Sequence, residues 1–371
     1  MHDQYYIEDS QQIITPALLI FLEMVETNLE QMVRIASDPA RLRPHVKTHK
    51  TIEIIRMQSK KGIKKFKAAT FAECEILAQA GARNILLAYH LVGHNIERAV
   101  QFVQRFPEIT FLAIADHPKP VESLNRAMVK AGQVIEVLLD VDTGQHRTGL
   151  PTGKQAQMLY EQIGQSQGLK PGGLHIYDGQ LRQHSLEDRA TAVHENFKAV
   201  TTLYDELTNA GWPVPRLVCG GTASFPVYAK MQDKAIELSP GTCIFHDAGY
   251  ETSFPDLPFK PAAVILTRVI SLPGDHLVTL DLGYKAVASD QPMEKRVIFP
   301  TVPDAKLTLQ NEEHLVIKTA QARRFQPGDE LVAIPWHICP TTALNKELVV
   351  ISQGRVKKHW AVAARDRYLT I

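Results

Sequence analysis

The sequence predicts an α/β protein: a (β/α)8 TIM-like barrel with a second, antiparallel β domain. Three observations carry this expectation. From about Arg41 to Ser239 a short apolar or β-branched run, a polar turn and a segment with helical spacing follow one another repeatedly. The runs number eight, the count that closes a parallel barrel. After about Phe259 the helical spacing stops and β-rich runs separated by turn signals take over.

The barrel strands are expected at Arg43 to Thr48, Phe66 to Ala69, Asn84 to Tyr89, Thr110 to Ala115, Val134 to Val141, Gly173 to Tyr177, Arg216 to Cys219 and Ile236 to Ser239. Strand and helix alternation needs crossover connections, hence parallel pairing. An open doubly wound sheet is the competing architecture, and the eight units favour closure. Thr70 with Glu73 reads as a capping box opening Phe71 to Ala80, with Gly81 as the stop. Glu187 to Ala210 has helical spacing and ends at Gly211. The β domain is expected from Ala262 to Ile270, His276 to Leu282, His314 to Lys318, Glu330 to Ile334, Glu347 to Ser352 and Val356 to Val362, with turns at Pro273-Gly274-Asp275, Pro327-Gly328-Asp329 and Gln353-Gly354. The Pro- and Asp-rich stretch Phe254 to Pro261 joins the two, and Tyr5 to Leu19 is expected to pair with the β domain. The domain boundaries that follow are 14–250 for the barrel, and 1–13 with 251–371 for the β domain.

Composition removes several classes of function. With 44% apolar and 22% charged residues over 371 positions, the chain is neither disordered nor fibrous. Its 41 basic and 40 acidic residues give a formal charge of +1, so no global field draws it to nucleic acid or to an anionic membrane. No run is long enough to span a bilayer, and Met1 to Ser10 is polar and acidic, unlike a signal sequence. A cytoplasmic protein is the expectation. Cys74, Cys219, Cys243 and Cys339 are scattered, which fits reduced thiols better than a disulfide scaffold.

Chemistry concentrates in a few places. Arg43-Pro44-His45-Val46-Lys47-Thr48-His49-Lys50 lies at the end of the first expected strand, and barrel active sites gather at strand C-termini. Alternation would put His45 and Lys47 on one face. A lysine inside a barrel has its ammonium destabilised, which frees a neutral amine for an aldehyde; a basic surface loop is the alternative. Cys219-Gly220-Gly221-Thr222-Ala223-Ser224 follows the seventh strand and offers backbone N–H groups and hydroxyls to a phosphate, with Pro240-Gly241-Thr242 beside it. A simple tight turn would look the same. In the β domain, Pro335-Trp336-His337-Ile338-Cys339-Pro340-Thr341 places an imidazole and a thiol two residues apart, on one face of an extended strand. That pair suits zinc with open coordination positions, or is a buried cysteine beside an unrelated histidine. Asp140 and Asp142 share a face, and Arg147 either neutralises them or binds a substrate carboxylate. Glu312-Glu313-His314 reads as a solvated turn, with support of a metal's ligands from behind as the alternative.

Taken together, these clusters resemble the D-threonine aldolase and D-serine dehydratase family, pyridoxal-phosphate enzymes that share the architecture of alanine racemase. The resemblance runs from Ile14-Thr15-Pro16-Ala17-Leu18-Leu19 to Ala364-Arg365 and is most specific over Arg43 to Lys50 and Pro335 to Thr341. It implies a lyase using pyridoxal 5'-phosphate and a divalent metal, zinc or manganese with magnesium as a third option. Lys47 matches the lysine that holds the cofactor covalently. Gly220, Gly221 and Thr222 match the phosphate loop, with Gly241 and Thr242 as a second part; Arg147 matches an arginine near the cofactor's phenolic oxygen; and Tyr177, in His175-Ile176-Tyr177-Asp178-Gly179, matches the ring contact. His337 and Cys339 match the metal ligands. The implied reaction is retro-aldol cleavage of a D-β-hydroxy-α-amino acid such as D-threonine to glycine and an aldehyde. The alternative is β-elimination to a 2-oxo acid and ammonia, as in D-serine or D-threo-3-hydroxyaspartate dehydratases. A cysteine as second ligand resembles the dehydratase branch, whereas Pro335-Trp336-His337 and Asp281 to Val287 resemble the aldolase branch. A cofactor carrier without catalysis would have no use for the β domain. The resemblance also implies a head-to-tail homodimer, a small D-amino acid as the partner, and no nucleic acid or membrane. His45, His49 and His90 are left unranked as the base for the β-hydroxyl.

Overall fold

The structure is a computed structural model that describes residues 3–231 and 235–370. The chain divides into two compact units. One comprises 1–32, 48–51 and 242–365, and the other comprises 33–47, 52–241 and 366–371.

The first strand, β1 (Ala17–Phe21), is apolar throughout and fully buried. It belongs to the sheet of the β unit, although the sequence boundary assigns its residues to the barrel. Seven parallel strands then follow in order: β2 (Lys65–Ala68), β3 (Asn84–His90), β4 (Thr110–Ala115), β5 (Ile135–Val141), β6 (Leu169–Ile176), β7 (Leu217–Cys219) and β8 (Ile236–Leu238). The expected eighth strand at Arg43 to Thr48 is shorter than the sequence suggests. Leu42 bridges Leu238 of β8 and His45 bridges Lys67 of β2, both in parallel, so residues 42–45 close the ring. The ladder is explicit: Arg43 N–H donates to Leu238 O at 2.8 Å, His45 N–H to Pro240 O at 2.8 Å, and Lys67 N–H to Pro44 O at 2.9 Å. The chain then coils into a 3-10 turn at Val46–Thr48. This turn ends the period-2 alternation that was expected to put His45 and Lys47 on one face.

Leu86, Leu112, Ile114, Leu138 and Val218 form the apolar filling of the barrel, contributed by β3, β4, β5 and β7. Two of the charged residues buried in this unit are paired. Arg43, fully buried, donates to Glu237 at 2.5 Å, and Lys65 reaches the same carboxylate at 2.8 Å. Local signals place the outer helices. Thr70 Oγ1 accepts from Glu73 N–H at 3.2 Å, the Glu73 carboxylate accepts from Ala69 N–H at 2.6 Å, and the helix Phe71–Gln79 follows. The helix Leu186–Asn209 is capped by Ser185 and ends before Gly211.

The β unit is built from β9 (Ala263–Gly274), β10 (Leu277–Leu280), β11 (Val297–Ile298), β12 (Lys306–Gln310), β13 (Leu315–Lys318), β14 (Glu330–Pro335), β15 (Glu347–Ser352) and β16 (Arg355–Ala361). With β1 they form one mixed sheet in the order β12-β13-β10-β9-β1-β15-β16, while β14 pairs with β9 and β11. Every pair is antiparallel except β1 with β15, so the N-terminal segment joins this sheet as expected. Leu19, Leu266, Val332, Val349 and Ile351 meet in its core. Gln353 and Gly354 both have positive φ, as the two-residue hairpin between β15 and β16 requires. Glu312 and Glu313 are exposed and pair with Lys285 in a turn. Among the described residues, no helix is long and apolar enough to cross a membrane.

Candidate active site

In the barrel unit the strand C-termini open into a cavity of about 530 Å³, lined by His45, Lys47, His90, Asp140, Arg147 and Tyr177 among others. Lys47 reaches it from the turn after the closing segment and is partly exposed rather than buried. Its Nζ stands 5.8 Å from the centre of the Tyr177 ring, and Arg147 Cζ stands 5.0 Å from the same centre. Two cations thus lie close to one aromatic ring. Of the two options for Arg147, pairing with the aspartates is not the one seen at Asp142, which binds His146 at 2.8 Å and accepts from the N–H of Gly144.

The glycine loop is shaped by close approach. Gly220 has φ +75°, and a Cβ there would meet Ser224 Oγ at 2.6 Å; at Gly221 it would meet Tyr177 Cε2 at 3.3 Å. Gly241 N–H donates to Thr222 Oγ1 at 3.2 Å, which leaves the Thr222 hydroxyl hydrogen free to donate elsewhere. Ser224 accepts from Gly221 N–H and donates to Asp178 at 2.7 Å. Thr242 groups with the β unit, where its hydroxyl lies 3.6 Å from Cys339 Sγ.

One charged network had no spacing signal. His175 Nδ1–H donates to Asp140 at 2.7 Å, and His90 Nε2 lies 3.4 Å from Asp140 and 3.1 Å from Asp116. Asp140 is buried, but the two imidazoles outweigh burial and hold it well below the usual carboxylate range. Burial opposes charging His90 as well; Asp116 and Asp140 override it and push it up to about 9. The donor atoms of His90, Asp116 and Asp140 lie within 4.8 Å of one another, close enough to share a cation, a role the His90 imidazolium fills. Burial lowers His175, so it is neutral; with Nδ1–H given to Asp140, its Nε2 presents a lone pair that no described group satisfies.

In the β unit, His337 and Cys339 do meet, though not on a strand. β14 ends at Pro335, His337 is the N-cap of the short helix Ile338–Leu344, and Cys339 sits in its first turn. The His337 ring bonds to the Cys339 sulfur and, through Nδ1, to Asp290 at 2.6 Å. Burial works against its charge, but these partners push it up to about 9. Asp290, 47 residues upstream, is a carboxylate behind the imidazole, the arrangement that orients metal-ligating histidines. Thr48 Oγ1 lies 3.2 Å from Cys339 Sγ. Asp247 accepts from Ile338 N–H at 3.0 Å and Tyr250 N–H at 2.8 Å, and burial pushes it up to about 6.

Both donor sets fit the groups the sequence suggests. Cations near an aromatic ring, a loop with no room for a Cβ at Gly220 and an unsatisfied imidazole suit a phosphorylated aromatic aldehyde. Imidazole and sulfur backed by a carboxylate suit a divalent metal.

Comparison with known proteins agrees. Residues 20–248 match the family model described as alanine racemase, N-terminal domain, and 262–351 match a putative serine dehydratase domain. The chain is 28% identical over 359 residues to a D-threonine aldolase of Arthrobacter sp, covering 95% of this chain and 93% of that protein. It is 26% identical to a D-threo-3-hydroxyaspartate dehydratase of Delftia sp. (strain HT23), covering 89% and 92%. The structure of a D-threonine aldolase from Filomicrobium marinum superposes with a TM-score of 0.88 at 26% identity, covering 96% of each chain.

Proposed function

This chain belongs to the alanine racemase N-terminal domain family, and on that premise we propose that it is a pyridoxal-phosphate- and metal-dependent lyase acting on D-β-hydroxy-α-amino acids. The favoured reaction is retro-aldol cleavage of D-threonine-like substrates to glycine and an aldehyde. The single observation that carries it is the likeness over nearly the whole length to D-threonine aldolases, in sequence and in fold. A homodimer and residence in the cytoplasm are part of the same proposal.

When bound, pyridoxal phosphate supplies an electron sink for the α-carbon and the divalent metal a Lewis acid for the β-hydroxyl. Lys47 holds the cofactor and carries the proton that the α-carbon receives when the Cα–Cβ bond has broken. Gly220, Gly221, Thr222 and Gly241 hold the phosphate, with Thr242 as an outlying member. Tyr177, with Lys47 and Arg147 both over its ring, seats the cofactor ring. His337 and Cys339 hold the metal, and Asp290 fixes the imidazole.

The β-hydroxyl must lose a proton, and burial and charge argue differently for the three candidate histidines. His49 is fully buried in the β unit, and burial lowers it to about 3. His90 keeps its proton at neutral pH between two carboxylates. His45 lines the cavity and is the remaining candidate; its Nδ1 accepts Lys47 N–H at 3.2 Å, so it takes up a proton only by releasing that hydrogen bond.

Cys339 favours a second reading. Sulfur as the second donor resembles the dehydratase branch, and one relative is a D-threo-3-hydroxyaspartate dehydratase. Product analysis after incubating cofactor- and metal-loaded enzyme with D-threonine, with L-threonine as control, separates the two. Glycine and acetaldehyde from the D-isomer alone establish the aldolase; 2-oxobutanoate and ammonia overturn it in favour of the dehydratase.

A further inference from the structure

Lys67 is the buried lysine of the barrel. It lies on β2, in register with Leu86 of β3, its N–H held by Pro44 O, and it is 3% exposed. Other buried charges in this unit have close partners: Arg43 has Glu237, Asp140 has His175, and Asp178 has Ser224. Among the described residues, the Lys67 amine makes no side-chain hydrogen bond and no ion pair. Longer-range neighbours surround it: Lys47 and Arg43 from the closing segment, Asp140 from β5, His175 from β6, Asp178 just beyond it, and Cys219 from β7.

Two of those neighbours are also unsatisfied. His175 Nε2 and Asp178 Oδ2 are buried without a hydrogen-bond partner. Both lie within electrostatic reach of the Lys67 amine. Leaving a buried polar group unmade costs on the order of 1–3 kcal/mol, so two such atoms around an amine without a side-chain partner mark a place where a ligand completes the structure.

We propose that Lys67 is a cofactor-binding residue, a second lysine that contacts bound pyridoxal phosphate while Lys47 carries the covalent link. The proposal rests on the cofactor reading above and adds a residue to it. An aromatic ring bearing both a hydroxyl and a ring nitrogen brings the donors and acceptors that these open groups lack. Burial first, and the cations Lys47 and Arg43 next, lower Lys67 to about 7. At neutral pH it is therefore divided between amine and ammonium, able to accept or to donate.

The test uses apo-protein titrated with pyridoxal phosphate, for wild type, Lys67→Met and Lys67→Arg. The readouts are cofactor affinity and the visible spectrum from pH 6 to 9, with borohydride reduction and peptide mapping to locate the link. The wild-type spectrum is expected to change between pH 6 and 9 as Lys67 gains or loses its proton. Lys67→Met is expected to lose this change, bind cofactor about tenfold more weakly and keep the link at Lys47. Lys67→Arg is expected to recover affinity without the change. Lys67→Met removes a buried amine, so its apo form should melt no lower than wild type, and a larger loss of the stabilisation given by cofactor separates contact from packing. If Lys67→Met matches wild type in affinity and spectrum, the role of Lys67 is overturned while the cofactor reading stands. If wild type forms no visible band, both are overturned.

Discussion

In the barrel cavity Asp140 is 4% exposed and lies between two imidazoles, whereas in the β unit the side chains of His337 and Asp290 are each 40% exposed and face one another at the start of a seven-residue helix. The first arrangement is interlocked. Asp140, His175, His90 and Asp116 sit at or just past the ends of consecutive parallel strands, and removing one leaves a charge without its partner, at a cost of several kcal/mol. The second is open at one side and can exchange what it holds. Under the proposed function the interlocked region would adjoin the covalent cofactor and the open one would take an exchangeable metal.

The harshest challenge to this contrast is Lys47→Ala. We expect it to abolish the visible absorbance of the holoprotein and to lower kcat by about 10³-fold or more, with metal content unchanged. An intact band would move the link to Lys50 or Lys67. Next in size, chelation is expected to remove activity while leaving the band in place, and His337→Ala to weaken metal binding at least tenfold with little change in melting temperature. Loss of cofactor on chelation, or a collapse of thermal stability, would mean that the open site is structural after all.

A smaller effect comes from His90. Its pKa is raised by folding, so its contribution to stability is complete below its unfolded value and is lost as pH rises through about 9. Melting followed from pH 7 to 10 should show an excess loss in wild type, of the order of 2 kcal/mol, that is missing from His90→Gln; parallel curves would show that the network contributes nothing. The smallest effect sets the baseline. Thr70→Ala removes a helix-cap hydrogen bond one residue beyond Ala69 of the cavity wall and should cost about 1 kcal/mol, with cofactor and metal affinities untouched. A change in either affinity would mean that the barrel is less rigid than its interlocked charges suggest.

What could be read ahead of the structure follows the range of the interactions. The capping of Phe71–Gln79 by Thr70 and Glu73 and the turn at Gln353-Gly354 act over a few residues, and both are present. The strand count was legible because a barrel strand and its helix announce themselves by period. The closing strand was overestimated, because nothing in Arg43 to Thr48 says that pairing stops after His45 and the chain coils. His337 and Cys339 were matched as partners for the wrong local reason: the side chains meet at a helix N-terminus, not along a strand. Asp290 gave no signal at all, being far upstream and in an unremarkable Ser-Asp-Gln run.

The amino-acid order alone therefore determined the kind of protein this is, since a repeating strand and helix beat and two chemically dense motifs are properties of short windows. It did not determine which charges live together. Asp140 meets His175 because β5 and β6 pair in parallel with those residues in register, and Lys67 is buried because residues 42–45 close the ring beside β2. Partnership between residues tens of positions apart depends on the register of strands and the closure of the barrel, and only the folded chain sets those.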